Sequence, residues 1–183
     1  MSLKNKKKLL FLVHEGSAQT NLKAVRDAID AGTINAEISL VVSDSETLPN
    51  LEKISPDYIC LAGWKKIIPE ELIQNYKILN MHPGLIPDSI DGTVKNPDGT
   101  DALWNKGKFT TKAIQNFIDQ KATYAGSSIH FLTSEFDFGP VLGRCFEKIE
   151  TGDTVESLYS RLKKKENELY VEVLKNLSNN EYR

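Results

Sequence analysis

Cysteine and histidine are scarce in this 183-residue chain, at two and three, and no apolar run approaches the length of a membrane span. Cys60 and Cys145 sit inside the strand-like runs YICLAG and GRCFEKI, where a thiol acts as a small buried hydrophobe and not as part of a disulfide framework. His14, His82 and His130 are far apart and form no pair at i, i+3 or i, i+4, so no metal site is expected. The early apolar stretch LLFLV is too short for a signal-peptide core or a bilayer span. An excess of positive charge is lacking too: the formal net charge is -2, which removes the electrostatic case for nucleic acid as the main partner. The basic KNKKK run belongs to a solvated, flexible flank over residues 1–7. There is no internal repeat and no low-complexity segment. With 40% hydrophobic and 26% charged residues, what remains is a cytoplasmic globule of one domain with a real core and no membrane partner.

Strands and helices alternate along it. KLLFLV, residues 8–13, reads as a buried strand, followed by the polar turn HEGSAQT and a helix that Thr20 or Asn21 caps, with Leu22, Val25 and Ile29 on its apolar face. Free amides at that helix start offer a phosphate seat, although a plain turn is the commoner meaning of such a loop. AEISLVVSD and YICLAGW, residues 36–44 and 58–64, give two more strands, and the segment between them holds only a short helix or turn. Pro69, Glu70 and Glu71 open the next helix, which feeds the strand ILNMH. Residues 88–109 are long and irregular, with two Asp-Gly-Thr turns; such a segment beside a site is often a binding loop. A helix over 110–120, a strand around SSIHFL, the turn TSEFDFGP and an antiparallel strand VLGRCFEKI follow. The last helix is expected to start near Asp153, with Glu156 completing a capping-box pair, and to end near Asn176. The fold class is α/β with a mostly parallel sheet and right-handed crossovers.

Chemistry gathers where ILNMH ends. Asn80 and His82 share one face of that strand at its carboxyl end, where open α/β sheets bind ligands. An amide donor beside an imidazole suits a reaction that develops negative charge on oxygen and moves a proton. For a bare N-x-H, a satisfied strand-end histidine is the commoner meaning. His130 alternates with Ile129 and Phe131 and is read as structural, and Asp137 as a turn residue bonding its own backbone. On the last helix Val155, Leu158, Leu162, Leu169 and Val173 form an apolar stripe whose gap places Lys165 or Glu166 on it. Lys163 lies one turn from Glu166, either as an internal ion pair or leaning with it towards a common spot.

Taken together, AGW before a helix, LNMHPGLIP, SSIHFLTSEFDFGPVLG and RLKKKENELY resemble the glycinamide ribonucleotide formyltransferases of the folate-dependent formyltransferase family, in order from Lys8 to Leu177. The resemblance implies a Rossmann-like three-layer formyltransferase fold, with the family's catalytic Asn, His and Asp falling on Asn80, His82 and Asp137. It implies that a substrate amine attacks the formyl carbon of 10-formyltetrahydrofolate, the cosubstrate, through a tetrahedral oxyanion. Asn80 and His82 would donate hydrogen bonds to that oxygen. Asp137 would steady the imidazolium and assist proton transfer through water. By the same resemblance the folate pterin lies along Trp64, Lys66, Ile67 and Ile68 on one loop and Thr133, Ser134, Glu135 and Phe136 on another. The nucleotide phosphate falls near Gln19, Thr20 and Asn21 with Lys163 as a basic contact, Pro83 lies beside the substrate, and Glu166 receives its amino group. No metal is implied, and the oligomeric state stays open between monomer and homodimer.

The chain also departs from the family pattern. EGSAQTN is longer than the usual G-x-G-S-N phosphate loop, and Gly84 stands where Ser is usual. The segment between the second strand and SPDY is shorter by about a strand plus a helix, so one edge unit is shortened. Residues 88–109 are longer, and are expected to fold over the nucleotide or folate as a replacement wall. Glycinamide ribonucleotide is the expected acceptor, in purine biosynthesis; the alternatives are another small amine such as an amino sugar nucleotide, and a non-catalytic folate or nucleotide binder. Initiator transfer RNA is not expected, because the chain is not basic and nothing after Arg183 is expected to form the extra domain such enzymes carry.

Overall fold

The computed structural model describes residues 5–179. They form two compact units, whose boundaries fall after Asn80 and after Leu169. Of the basic flank, residues 1–4 lie outside the described residues.

The first unit is built from β1 (Lys7–Val13), α1 (Thr20–Asp30), β2 (Ala36–Ser43), α2 (Leu51–Ile54), β3 (Tyr58–Ala62), α3 (Glu70–Asn75) and the start of β4 (Ile78–His82). Its strands run parallel in the order β2-β1-β3-β4, with Leu10 opposite Ile59 and Ile59 opposite Ile78. Leu9 to Val13 of β1 and all of β3 are buried, as their unbroken apolar runs require of strands covered on both faces. β2 forms the edge, with Leu40 exposed, and the one-turn α2 is the only helix between it and β3. Tyr170 closes this core: its ring lies 6.3 Å from that of Phe11 and its hydroxyl donates to the Leu61 carbonyl. Burial pushes the neighbouring Cys60 thiol up to about 12, with the Tyr170 hydrogen bond opposing it. That leaves Cys60 an inert hydrophobe.

Two local expectations need correction here. Lys7 belongs to β1 and not to the flank, because its amide donates to the Asn35 carbonyl and its ammonium pairs with Asp57 at 3.0 Å. Neither Thr20 nor Asn21 caps α1; the capping position is Gln19, in the left-handed region at φ 48°, with no side-chain cap. The first amides of the helix are thus left without a side-chain acceptor from the cap.

In the second unit β5 (Tyr124–Phe131) and β6 (Val141–Lys148) pair antiparallel. Leu85, Ile114 and Phe117 of α4 (Thr110–Asp119), Ala125, and Leu158 and Leu162 of α5 (Val155–Ser178) make its core. The last helix does not begin on an Asp153–Glu156 pair. Thr154 and Ser157 cap reciprocally, each hydroxyl accepting the other's amide, a serine version of the capping box. Asp153 instead takes the Glu150 amide and the Arg161 guanidinium. With parallel strands in the first unit and an antiparallel pair in the second, the chain is α/β and mostly parallel, as expected.

Candidate active site

In the second unit the strand end delivers His82 into the interior, 2% exposed. Its Nε2 lies 2.7 Å from the Trp104 carbonyl. A carbonyl only accepts, so Nε2 carries a proton and donates. Nδ1 lies 3.5 Å from Asp137 Oδ1. Asp137 departs from its turn-based reading, for its carboxylate does not fold back on its own backbone. It sits at φ 49°, and its Oδ2 accepts the Gly107 amide at 2.7 Å while its carbonyl accepts the Trp104 indole N–H at 2.9 Å. Burial works against its charge, but the hydrogen bond and charge of His82, the Gly107 amide and His130 hold the carboxyl below its ordinary value.

His130, read as structural, is fully buried and feels both members of this pair. Desolvation, then the nearby His82, push it down to about 4, against the Phe131 carbonyl and Asp137, which raise it. The signal that pointed to it was the isoleucine-His-Phe run within the family resemblance, not its alternation. A consequence can be measured. Between pH 6.5 and about 4 the unfolded chain binds a proton that the folded chain refuses, so stability held above that window is lost as pH falls, at about 1.4 kcal/mol per pH unit. His130→Leu is expected to remove that slope from urea unfolding free energies; an unchanged slope would count against it.

The long loop ends on this pair. Trp104 packs on Phe138 at 5.8 Å, and Lys106 pairs with Glu135 at 2.6 Å. Asn105, at φ 58° and nearly buried, donates to the Pro83 and Ala113 carbonyls and accepts from Asn116. Beside it a cavity of about 480 Å³ is lined by Asp88, Thr133, Glu135, Phe138, Gly139, Pro140 and Val141. Thr133 and Glu135 therefore line one concavity, and Ser134, Glu135 and Phe136 are all exposed. Lys163 and Glu166 meet each other at 3.0 Å, and Ser127 donates to the second carboxylate oxygen at 2.6 Å.

In the first unit Asn80 is half-buried on β4. Trp64 keeps a buried indole N–H with no partner, Lys66 lies 5.9 Å from its ring, Ile67 is exposed and Ile68 turns into the core. Gln19 and Thr20 are half-buried, and Asn21 is buried with its Oδ1 unpartnered. Next to them lies an arrangement the sequence reading passed over. β1 and β2 end in register, Val13 opposite Ser43, so the residues that follow meet: His14 Nδ1 lies 2.6 Å from Asp44 and Nε2 lies 2.8 Å from Lys65 Nζ. Burial opposes the Asp44 charge, but His14, the Glu15 amide and Lys66 hold it below the usual range. The available signal was a polar residue directly after each of two parallel strands. Among the described residues no three His, Cys, Asp or Glu side chains gather as for a metal, and no helix is long and apolar enough to cross a membrane.

An imidazole set between a carboxylate and a hydrogen-bond acceptor, at the end of a strand in an α/β fold, defines a class, and the model of the formyl transferase family matches residues 43–174. The chain belongs to the formyl transferase family. It is 35% identical over 135 residues to the chloroplastic phosphoribosylglycinamide formyltransferase of Arabidopsis thaliana, covering 73% of this chain and 41% of that protein. The Escherichia coli phosphoribosylglycinamide formyltransferase is 28% identical over 130 residues, 69% of this chain and 52% of that one. The chain thus spans about half or less of the length of these two curated relatives. In fold it matches glycinamide ribonucleotide transformylase 1 from Symbiobacterium toebii, with a TM-score of 0.78 at 21% identity, over 96% of this chain and 89% of that one. A formyltetrahydrofolate deformylase from Pseudomonas syringae matches with a TM-score of 0.75 at 14% identity, over 96% and 62%.

Proposed function

We propose that this chain transfers a formyl group from 10-formyltetrahydrofolate to the amino group of glycinamide ribonucleotide, in cytoplasmic purine biosynthesis, with residues 1–183 acting as one formyltransferase domain. The observation that carries this reading is His82, buried at a strand end, with Nδ1 facing the Asp137 carboxylate. The substrate amine attacks the formyl carbon and the oxygen takes the charge, with Asn80 and His82 as its hydrogen-bond donors. The amine's proton leaves towards Asp137 through water, the bond from the formyl carbon to the folate nitrogen breaks, and that nitrogen takes up a proton. Trp64, Lys66, Ile67 and Ile68 with the loop at 133–136 hold the folate, Gln19 to Asn21 with Lys163 hold the phosphate, and Pro83 and Glu166 border the amine. The first measurement is release of folate product with glycinamide ribonucleotide, with amino sugars and with no acceptor. Turnover with the ribonucleotide alone is the expected result. Turnover only with another amine would move the acceptor, and turnover without any would make water the acceptor.

A further inference from the structure

Gly84 and Trp104 meet at one atom. A Cβ on Gly84 would lie 1.8 Å from the Trp104 carbonyl oxygen and 2.9 Å from His82 Nε2, closer than any real contact. The Gly84 backbone has no freedom to retreat, since Ser128 donates to its carbonyl and accepts the Ile86 amide. The carbonyl reaches the imidazole only because residue 84 lacks a side chain. The elongated loop and the glycine that replaces the family's usual serine are therefore one feature, not two.

Resting on the formyl-transfer reading of His82, we propose that the Trp104 carbonyl is the resident occupant of the seat on Nε2 that the substrate's formyl oxygen takes, and that residues 104–107 form a strap which gives it up. One N–H makes one good hydrogen bond, and His82 is 2% exposed, so carbonyl and formyl oxygen compete for it. The competition has a direction. A formyl oxygen in the ground state is an acceptor of the same kind as a peptide carbonyl and gains little by the exchange. An oxyanion accepts a charge-assisted bond about twice as strong, so the strap withholds the donor from bound substrate and yields it to the transition state. Asn105 and Gly107, both at positive φ, anchor the strap through Pro83, Ala113 and Asp137.

The test uses the full chain, Gly84→Ala and Asn105→Gly, the second keeping the left-handed backbone while removing the anchor. Exchange of the His82 imidazole N–H with water, followed by NMR, and acylation of His82 by diethylpyrocarbonate, mapped by mass spectrometry, report the contact itself. Both are expected to be slow in the wild type and at least about tenfold faster in either variant that folds. Affinity for a non-transferable formyl folate analogue is expected to rise about fivefold, the worth of one net hydrogen bond, with tetrahydrofolate unchanged. A folded variant with His82 still protected, or unmasking of His82 without a gain in formyl-folate affinity, would overturn the strap. If the wild type turned over no acceptor while both variants unmasked His82, the formyl-transfer reading would fall and the contact would stand.

Discussion

His82→Ala is expected to lower kcat/KM for formyl transfer by about 10³, the order contributed by one oxyanion donor. His82 is buried beside Asp137 and Trp104, so the loss should come through kcat with the fold retained, as circular dichroism would report. Asp137→Asn keeps a residue type that tolerates the left-handed backbone and can still accept the Gly107 amide. It removes the charge opposite Nδ1, and about a hundredfold loss is expected. The carboxyl of Asp137 is held below its ordinary value of 3.8, so its favourable charge is present above that pH and lost only as pH falls through the lowered value. Full activity in His82→Ala would leave a formyl transferase fold without formyl-transfer chemistry at this strand end.

The second large effect is on stability. Glu166 has a side chain 3% exposed, against 25% for its partner Lys163. Lys163→Met would leave the carboxylate buried with only the Ser127 hydroxyl, and a charge stripped of its partner in such a place costs about 3–5 kcal/mol. Urea unfolding should register that loss, and Lys163→Met with Glu166→Gln should recover most of it, because no buried charge then remains. A loss below about 1 kcal/mol in the single variant would mean a pair that behaves as if solvated. Glu166→Gln alone separates stability from function: if Glu166 receives the substrate amine, KM for the acceptor rises more than stability falls.

Much of this was legible because periodicity and apolar runs report burial directly. Leu9–Val13 of β1 and all of β3 are unbroken apolar runs and are buried; the gap in the α5 stripe placed Lys165 or Glu166 on it, and Glu166 is the one that is buried. Asn80 and His82 stood out because a polar pair ending an apolar strand is costly unless used. The misses share a physical cause. Asp137 was named by the resemblance but not by its own turn, because it is aimed by backbone at positive φ and by an amide from a loop thirty residues earlier, and neither leaves a mark in its own neighbourhood. Capping at α5 was decided by hydroxyl geometry at Thr154 and Ser157, where the sequence pattern had pointed to Asp153 and Glu156. The Trp104 contact is made by a carbonyl, which every residue owns, so only the glycine at 84 betrays it.

The first unit is not continuous in sequence: the Tyr170 hydroxyl that bonds the Leu61 carbonyl arrives 109 residues later. On a ribosome, the strands β1 to β3 emerge early yet wait for the Tyr170 ring that packs beside Phe11 until the whole of Met81–Leu169 has been made. Synthesis order therefore favours the unit carrying His82 and Asp137 finishing before the one carrying the amino-terminal strands. The incompletely covered apolar face of a half-made sheet is what a chaperone would meet first.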